Sequence, residues 1–224
     1  MNIIEQAAAK GRTMLSEYES KRVLEAHGIP VTRETLVNNL DELATAVKEI
    51  GYPIVLKGCT QHTAHKTEKG LIKIDIRNEL EAKEAFNTIM TNLDDDDKSV
   101  LVQEMVKGSR ELMAGLTRDA QFGPCVMFGL GGIFAEILKD VSFRVAPIEK
   151  ENALEMMKEI KAHKILSNIR GMEAADLDAL AEILISLGRI GLENEEVDEI
   201  DINPLILSGG KPVAADALFV LKPA

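Results

Sequence analysis

Residues 56–70 read LKGCTQHTAHKTEKG and hold two of the chain's four histidines, His62 and His65, among Lys57, Lys66 and Lys69. Three readings compete for this set. Two imidazoles at i, i+3 can begin a metal site, but no third ligand lies nearby and the adjacent lysines repel a cation. A plain exposed loop needs no chemistry at all. A basic loop bounded by Gly58 and Gly70 suits an anion or a phosphoryl group, and an imidazole nitrogen is a competent phosphoryl carrier near neutral pH. Lys57 closes an otherwise apolar run from Ile54. It is either a strand-end lysine reaching water or a point charge aimed into a cleft to hold a phosphate.

Three further groups carry candidate chemistry. FGLGGIFAE (128–136) is glycine-rich, yet it lacks the spacing of a phosphate-binding P-loop and the strand–turn–helix setting of a dinucleotide fingerprint. Tight turns explain it equally well. Arg144 lies on an expected strand among apolar neighbours, where pairing with Asp140 is the plain reading. EIDINPL with AADAL downstream puts Asn203 and Asp216 on adjacent expected strands. A carboxylate and an amide oxygen, completed by water and phosphate oxygens, can hold Mg²⁺ beside a nucleotide. The alternative is an Asn-Pro turn and a buried capping aspartate.

The elements that must position these residues are legible in part. SEYESKRVLEAHGIP reads as a helix with Ser16 as N-cap, Glu19 completing a capping box, and Gly28 and Pro30 ending it. DELATAVKEIG (41–51) is a second helix, capped by Asp41. A strand at 52–57 leads into the histidine loop, and LIKIDI (71–76) puts Ile72, Ile74 and Ile76 on one face of a half-buried strand. Residues 79–93 have helical spacing, and the acidic run Asp94 to Asp97 marks a lobe boundary. SVLVQEM, ELMAGLTRD, PCVMFGLGG, FAEILKD and FRVAPI then read as an antiparallel meander. Helices at 150–161 and 176–190 follow, the latter with Leu177, Leu180, Leu184 and Leu187 on one face. VDEIDINPLIL and PVAADALFVL close the chain as two strands joined through Gly209-Gly210. The sum is an α+β protein with one lobe at 1–98 and another at 99–224.

Composition narrows the function. With 37 acidic against 26 basic residues the net charge is -11, which disfavours a nucleic-acid or anionic-membrane footprint. The two cysteines, Cys59 and Cys125, sit apart in apolar contexts and fit a reducing compartment. The first residues lack the apolar core of a signal peptide, and the apolar window 125–138 is too short to span a bilayer, so a cytoplasmic location is expected.

Taken in order, SEYESKRVLEAHGIPV, GYPIVLKG with HKTEKGLIKI, VLVQEMVKGSRELMAG, FGPCVMFGLGGIFAEILKDVSFRVAPI, IRGMEAADLDAL and EIDINPLIL with ADA resemble the ATP-grasp part of the ADP-forming acyl-CoA synthetases. That fold also serves in the succinyl-CoA synthetase β subunit. The resemblance implies an ATP-grasp fold of two α+β lobes holding Mg-ATP. It also implies reversible exchange of acyl-CoA, ADP and phosphate with acid, CoA and ATP, with phosphoryl carried on histidine. His65, before the lysine of the HK motif in loop 58–70, matches the shuttle histidine, whereas His62 lies outside the matching position. Lys57 matches the phosphate-gripping lysine, and Gln103, Glu104, Met105 and Val106 match the hinge that meets the adenine edge. Glu111 falls where an acid lies near the ribose, and Gly131 and Gly132 fall in the glycine turn. Arg144 becomes a candidate for steadying transferred phosphate, and Asn203 and Asp216 match the Mg²⁺ ligands.

One departure is visible: many relatives read H-K-S-D-V-G-G-V, while this chain has Lys69, a single Gly70, and Leu71 at the second glycine's place. The chain has no room for CoA-binding and CoA-ligase domains. The resemblance therefore implies a separate α subunit and an α2β2 assembly. Two other readings stay open: a carboxylate–amine ligase of the same fold, and a regulatory nucleotide-binding module without chemistry.

Overall fold

The computed structural model describes residues 2–60, 70–93, 98–132, 140–169 and 171–223. The chain forms two compact units, one of residues 32–105 and one of residues 1–31 with 106–224. This differs from the expected lobes at 1–98 and 99–224. Strand β4 (Ser99–Glu104) lies between β1 (Glu34–Val37) and β2 (Ile54–Cys59), with β3 (Ile72–Ile76) beyond β2. Its Val100 and Val102 complete the core of the smaller unit, so the chain cannot divide just before it. The acidic run 94–97, read as the boundary, lies outside the described residues.

In the smaller unit, helices α3 (Leu40–Ile50) and α4 (Glu79–Asn92) cover one face of this antiparallel sheet. Ile54, Leu56, Val100 and Val102 meet Leu43, Ala46, Phe86 and Ile89 there. The cap of α3 is Asn39, whose side chain accepts from the N–H groups of Asp41 and Glu42. Asp41 sits inside the first turn, where it complements the helix dipole. Strand β3 departs from simple alternation. Asp75 takes a left-handed conformation (φ 58) and β3 carries an extra residue between the partners of Ile54 and Leu56. That bulge leaves Ile74 69% exposed while Ile76 is buried.

The larger unit begins with α1 (Ile3–Ala9) and α2 (Glu17–Ala26). Ser16 and Glu19 form the expected capping box on α2. Strands β5 (Glu111–Asp119), β6 (Gly123–Leu130) and β7 (Val141–Val145) form an antiparallel meander. Helices α5 (Lys150–Glu159) and α6 (Leu177–Glu193) follow, with a 3-10 turn at His163–Leu166 between them. The long strand β8 (Val197–Ser208) pairs with β5 on one side. On the other side it pairs with β9 (Lys211–Ala214) and then β10 (Leu218–Leu221), so the last expected strand is two.

Leu112, Ala114, Leu116, Val126, Phe128, Ile200 and Ile202 alternate onto the helix-covered face and pack with Met156, Leu180, Leu184 and Leu187. Helix α6 lies so close that a Cβ on Gly191 would collide with Leu116 and Pro124. The first residues join this unit because the Leu15 N–H donates to the Phe219 carbonyl at 3.0 Å and the Ala214 N–H to the Pro30 carbonyl at 2.9 Å. Among the described residues no helix is long and apolar enough to cross a membrane.

Candidate functional site

Alternation that sends Ile200 and Ile202 into the core sends Glu199 and Asp201 to the opposite face of the larger sheet, which bears Gly115 and Thr117 beside them. Beyond Ile202, β8 carries one extra residue between the partners of Ala114 and Leu112, a bulge at Asn203-Pro204. Bulges re-aim side chains at sites of this kind. The gap between β9 and β10 lies alongside this bulge. There the Ala215 N–H donates to the Pro204 carbonyl at 3.0 Å, which fixes Asp216 next to Asn203.

The glycine turn closes the corner. The Gly131 N–H donates to the Glu111 carbonyl at 2.9 Å, and the Gly132 N–H donates to the Asn203 Oδ1 at 3.3 Å. Gly132 has φ 65, and a Cβ there would collide with the Glu111 carboxylate. Glu111, Gly131, Gly132, Asn203 and Asp216 thus come together, drawn from the start of β5, the turn after β6, the bulge inside β8 and the gap between β9 and β10.

Asp201 completes the group and was not singled out in the sequence. Its Oδ1 is buried without a hydrogen-bond partner, and its carboxyl is raised to about 6 by burial, then by the charges of Glu199 and Asp216. The signal was there: Asp201 and Asn203, two apart, bracket Ile202 in a strand pattern. The donors are hard oxygens, and an orphaned carboxylate oxygen amid negative charge fits a divalent cation. Among the described residues no three His, Cys, Asp or Glu side chains converge as a complete metal cage. Mg²⁺ takes one or two protein ligands and fills its shell with water and phosphate oxygens.

Because the folded Asp201 binds its proton more tightly than the unfolded chain does, stability falls as pH rises from about 4 to about 6. Asp201→Asn removes this penalty. The variant is expected to be more stable than wild type by about 1–2 kcal/mol at pH 8, after discounting for partial solvation, and to match it below pH ~4. Urea titrations at the two pH values test this.

In the smaller unit Lys57 lies inside β2 rather than at its end, and it is only 6% exposed. It does not reach freely into water. It shares the face away from the helices with Val55 and with Gln103, itself 3% exposed and opposite Val55 in the ladder. The Glu104 carboxylate is held by Arg33, and the Met105 N–H donates to the Pro53 carbonyl at 3.2 Å. Val106 begins the return to the larger unit. His65, with His62, Lys66 and Lys69, lies outside the described residues. The strands on either side of that loop are tied at its base, where the Gly58 N–H donates to the Leu71 carbonyl at 2.8 Å.

Arg144 is not brought to the group. On β7, Ser142 and Arg144 turn toward the helices: the Ser142 hydroxyl donates to the Met156 carbonyl, and Arg144 makes a two-point contact with Glu159 at 2.9 and 2.5 Å. Phe143 and Val145, each 47% exposed, take the other face. Its expected partner Asp140 accepts instead from the Lys161 and Ala162 N–H groups, both at 2.7 Å.

Two antiparallel α+β units, one with an oxygen-donor corner and the other with a buried lysine on its central sheet, are the parts of an ATP-grasp protein. The family model described as ATP-grasp domain matches residues 6–221, and the chain belongs to that family. Its relatives place it more narrowly, beside the β subunits of ADP-forming acetate–CoA ligases. It is 47% identical over 224 residues to subunit β of the ADP-forming acetate–CoA ligase I of Pyrococcus furiosus, covering 98% of this chain and 96% of that one. A single-chain ADP-forming acetate–CoA ligase of Archaeoglobus fulgidus is 42% identical over 209 residues, and these make up 30% of its length.

Among solved structures, an acetyl-coenzyme A synthetase of Candidatus Korarchaeum cryptofilum with coenzyme A and Ca-AMPCP matches with a TM-score of 0.93 and 42% identity, over 98% of each chain. A second structure of that protein holds Mg-AMPPCP with its phosphohistidine segment pointing towards the nucleotide site. It matches with a TM-score of 0.86 and 43% identity, over 98% of each chain.

Proposed function

We propose that this chain is the nucleotide-binding β subunit of an ADP-forming acid–CoA ligase. It passes phosphoryl between a histidine carrier and ADP or ATP while acyl-CoA, ADP and phosphate interconvert with acid, CoA and ATP. The observation that carries this reading is the oxygen-donor corner of Asn203, Asp216 and Asp201 at the β8 bulge, in a chain alike along its length to proteins named as such β subunits.

The residues divide the work. Lys57 grips phosphate, Gln103 to Val106 meet the base, and Glu111 lies by the ribose. Gly131 and Gly132 form the turn that borders the nucleotide, while Asn203 and Asp216 hold Mg²⁺, which neutralises phosphate charge when bound. An His65 imidazole nitrogen attacks the γ-phosphorus in line: the N–P bond forms, the P–O bond to ADP breaks, and the reverse step makes ATP. Positioning and charge neutralisation supply most of the catalysis. The acid and CoA bind on a separate α subunit, matching the greater length of single-chain relatives, and we place the pair in an α2β2 assembly.

Incubation of the full chain with Mg-[γ-³²P]ATP tests the reading. Acid-labile, base-stable label that disappears with a chelator is expected. Tight nucleotide binding without any label, with or without the α subunit, would instead make this a binding module.

A further inference from the structure

Antiparallel pairing leaves no free backbone groups inside a sheet, so groups freed at a strand's end show what it is built to meet. At the end of β4 the ladder runs on by one residue on each side. The Glu104 N–H donates to the Arg33 carbonyl at 3.0 Å, so regular pairing would return the Arg33 N–H to the Glu104 carbonyl. It goes elsewhere: the Arg33 N–H donates to Glu104 Oε1 at 2.9 Å, and Arg33 Nε donates to Oε2 at 2.8 Å. Arg33 Nη2 reaches the Ile50 carbonyl at 3.2 Å and steadies the guanidinium. The Glu104 side chain has taken the donor that its own backbone carbonyl would use. On the next residue, Met105 donates to the Pro53 carbonyl, and Pro53 has no N–H to return. Among the described residues, two successive carbonyls, of Glu104 and Met105, therefore lack their ladder donors.

We infer that the Arg33–Glu104 ring is a base-selecting device: by occupying the Arg33 N–H it keeps the Glu104 carbonyl available for an exocyclic amino group. This rests on the reading that residues 103–106 meet the nucleotide base. An acceptor at this place takes the 6-amino group of adenine and opposes the 6-oxo group of guanine, which offers only an acceptor. Arg33 and Glu104 are positioning residues in this scheme, since neither side chain touches the base.

The test is calorimetric titration of the full chain with Mg-ADP and Mg-GDP. Wild type is expected to prefer ADP. In Glu104→Ala the Arg33 N–H is released to the backbone carbonyl, so ADP binding should weaken about tenfold, the worth of one hydrogen bond, with GDP binding unchanged. In Glu104→Gln the amide oxygen still accepts from Arg33, and ADP binding should stay within about threefold of wild type. Equal weakening for both nucleotides in Glu104→Ala, or a Gln variant as poor as the Ala variant, would overturn the inference and leave the ring a structural brace. A wild-type chain binding both equally would also overturn it. If wild type binds neither, the nucleotide reading itself falls, a result no Glu104 variant can imitate.

Discussion

His65→Ala is expected to take up no label from Mg-[γ-³²P]ATP and to lose more than about 10³-fold in acyl-CoA formation with its α subunit, because in the proposed mechanism its imidazole is the covalent phosphoryl carrier. Nucleotide binding should change little, since the imidazole is needed for the transfer and not for holding ADP. Of the four histidines, His27 and His163 are occupied elsewhere: His27 Nδ1 lies 2.8 Å from the Val23 carbonyl and His163 Nδ1 lies 3.2 Å from the Ile160 carbonyl. His62→Ala is the internal control and should label normally. Label retained in His65→Ala and lost in His62→Ala would move the carrier three residues along the loop. Label retained in both would remove histidine from this loop altogether.

The second large effect is expected at Asp216. Asp216→Ala removes a carboxylate from a corner where Asp201 already feels its charge, and activity with saturating Mg-ATP should fall by about 10²–10³-fold. The same change lowers negative charge around Asp201, so its carboxyl should titrate closer to the ordinary aspartate range. The two consequences separate the functional role from a capping role. A capping aspartate would cost stability and leave the Mg²⁺ dependence of ATP binding as it was. A cation ligand would shift that dependence to higher Mg²⁺ while the fold, followed by circular dichroism, stays intact.

Much of this site could be read from residue types and spacing. Asn203 and Asp216 were legible as a pair because they lie on the two adjacent strands expected at the end of the chain, and the structure sets them side by side at the β8 bulge and the gap between β9 and β10. Asp201 was harder, since a carboxylate between isoleucines looks like ordinary surface alternation until its burial is known. For Arg144 the residues alone suggest a pair with Asp140, and the phosphate role comes only from the resemblance. The structure pairs Arg144 with Glu159, because β7 is the last strand on its path and its polar residues are the ones satisfied under the helices.

The same holds for the fold. Capped helices were readable because capping is local chemistry, as at Ser16 and Glu19. The bulge at Asp75 and the place of β4 depend on which strands pair, and no local pattern carries that. The assignment of residues 1–31 to the later unit rests on contacts with β9 and β10 that lie far along the chain.

Those contacts bear on the order of assembly during synthesis. Met14 bridges Val220, so the first helices leave the ribosome long before their strands exist. Residues 32–105, a compact unit made of one uninterrupted stretch, can close while translation continues. The apolar faces of α1 and α2, with Ile4, Val23 and Leu24, meanwhile have little but each other to pack on. The α1–α2 segment is thus made well before the strands that house it, and until β9 and β10 emerge it is a part of the nascent chain in need of a chaperone.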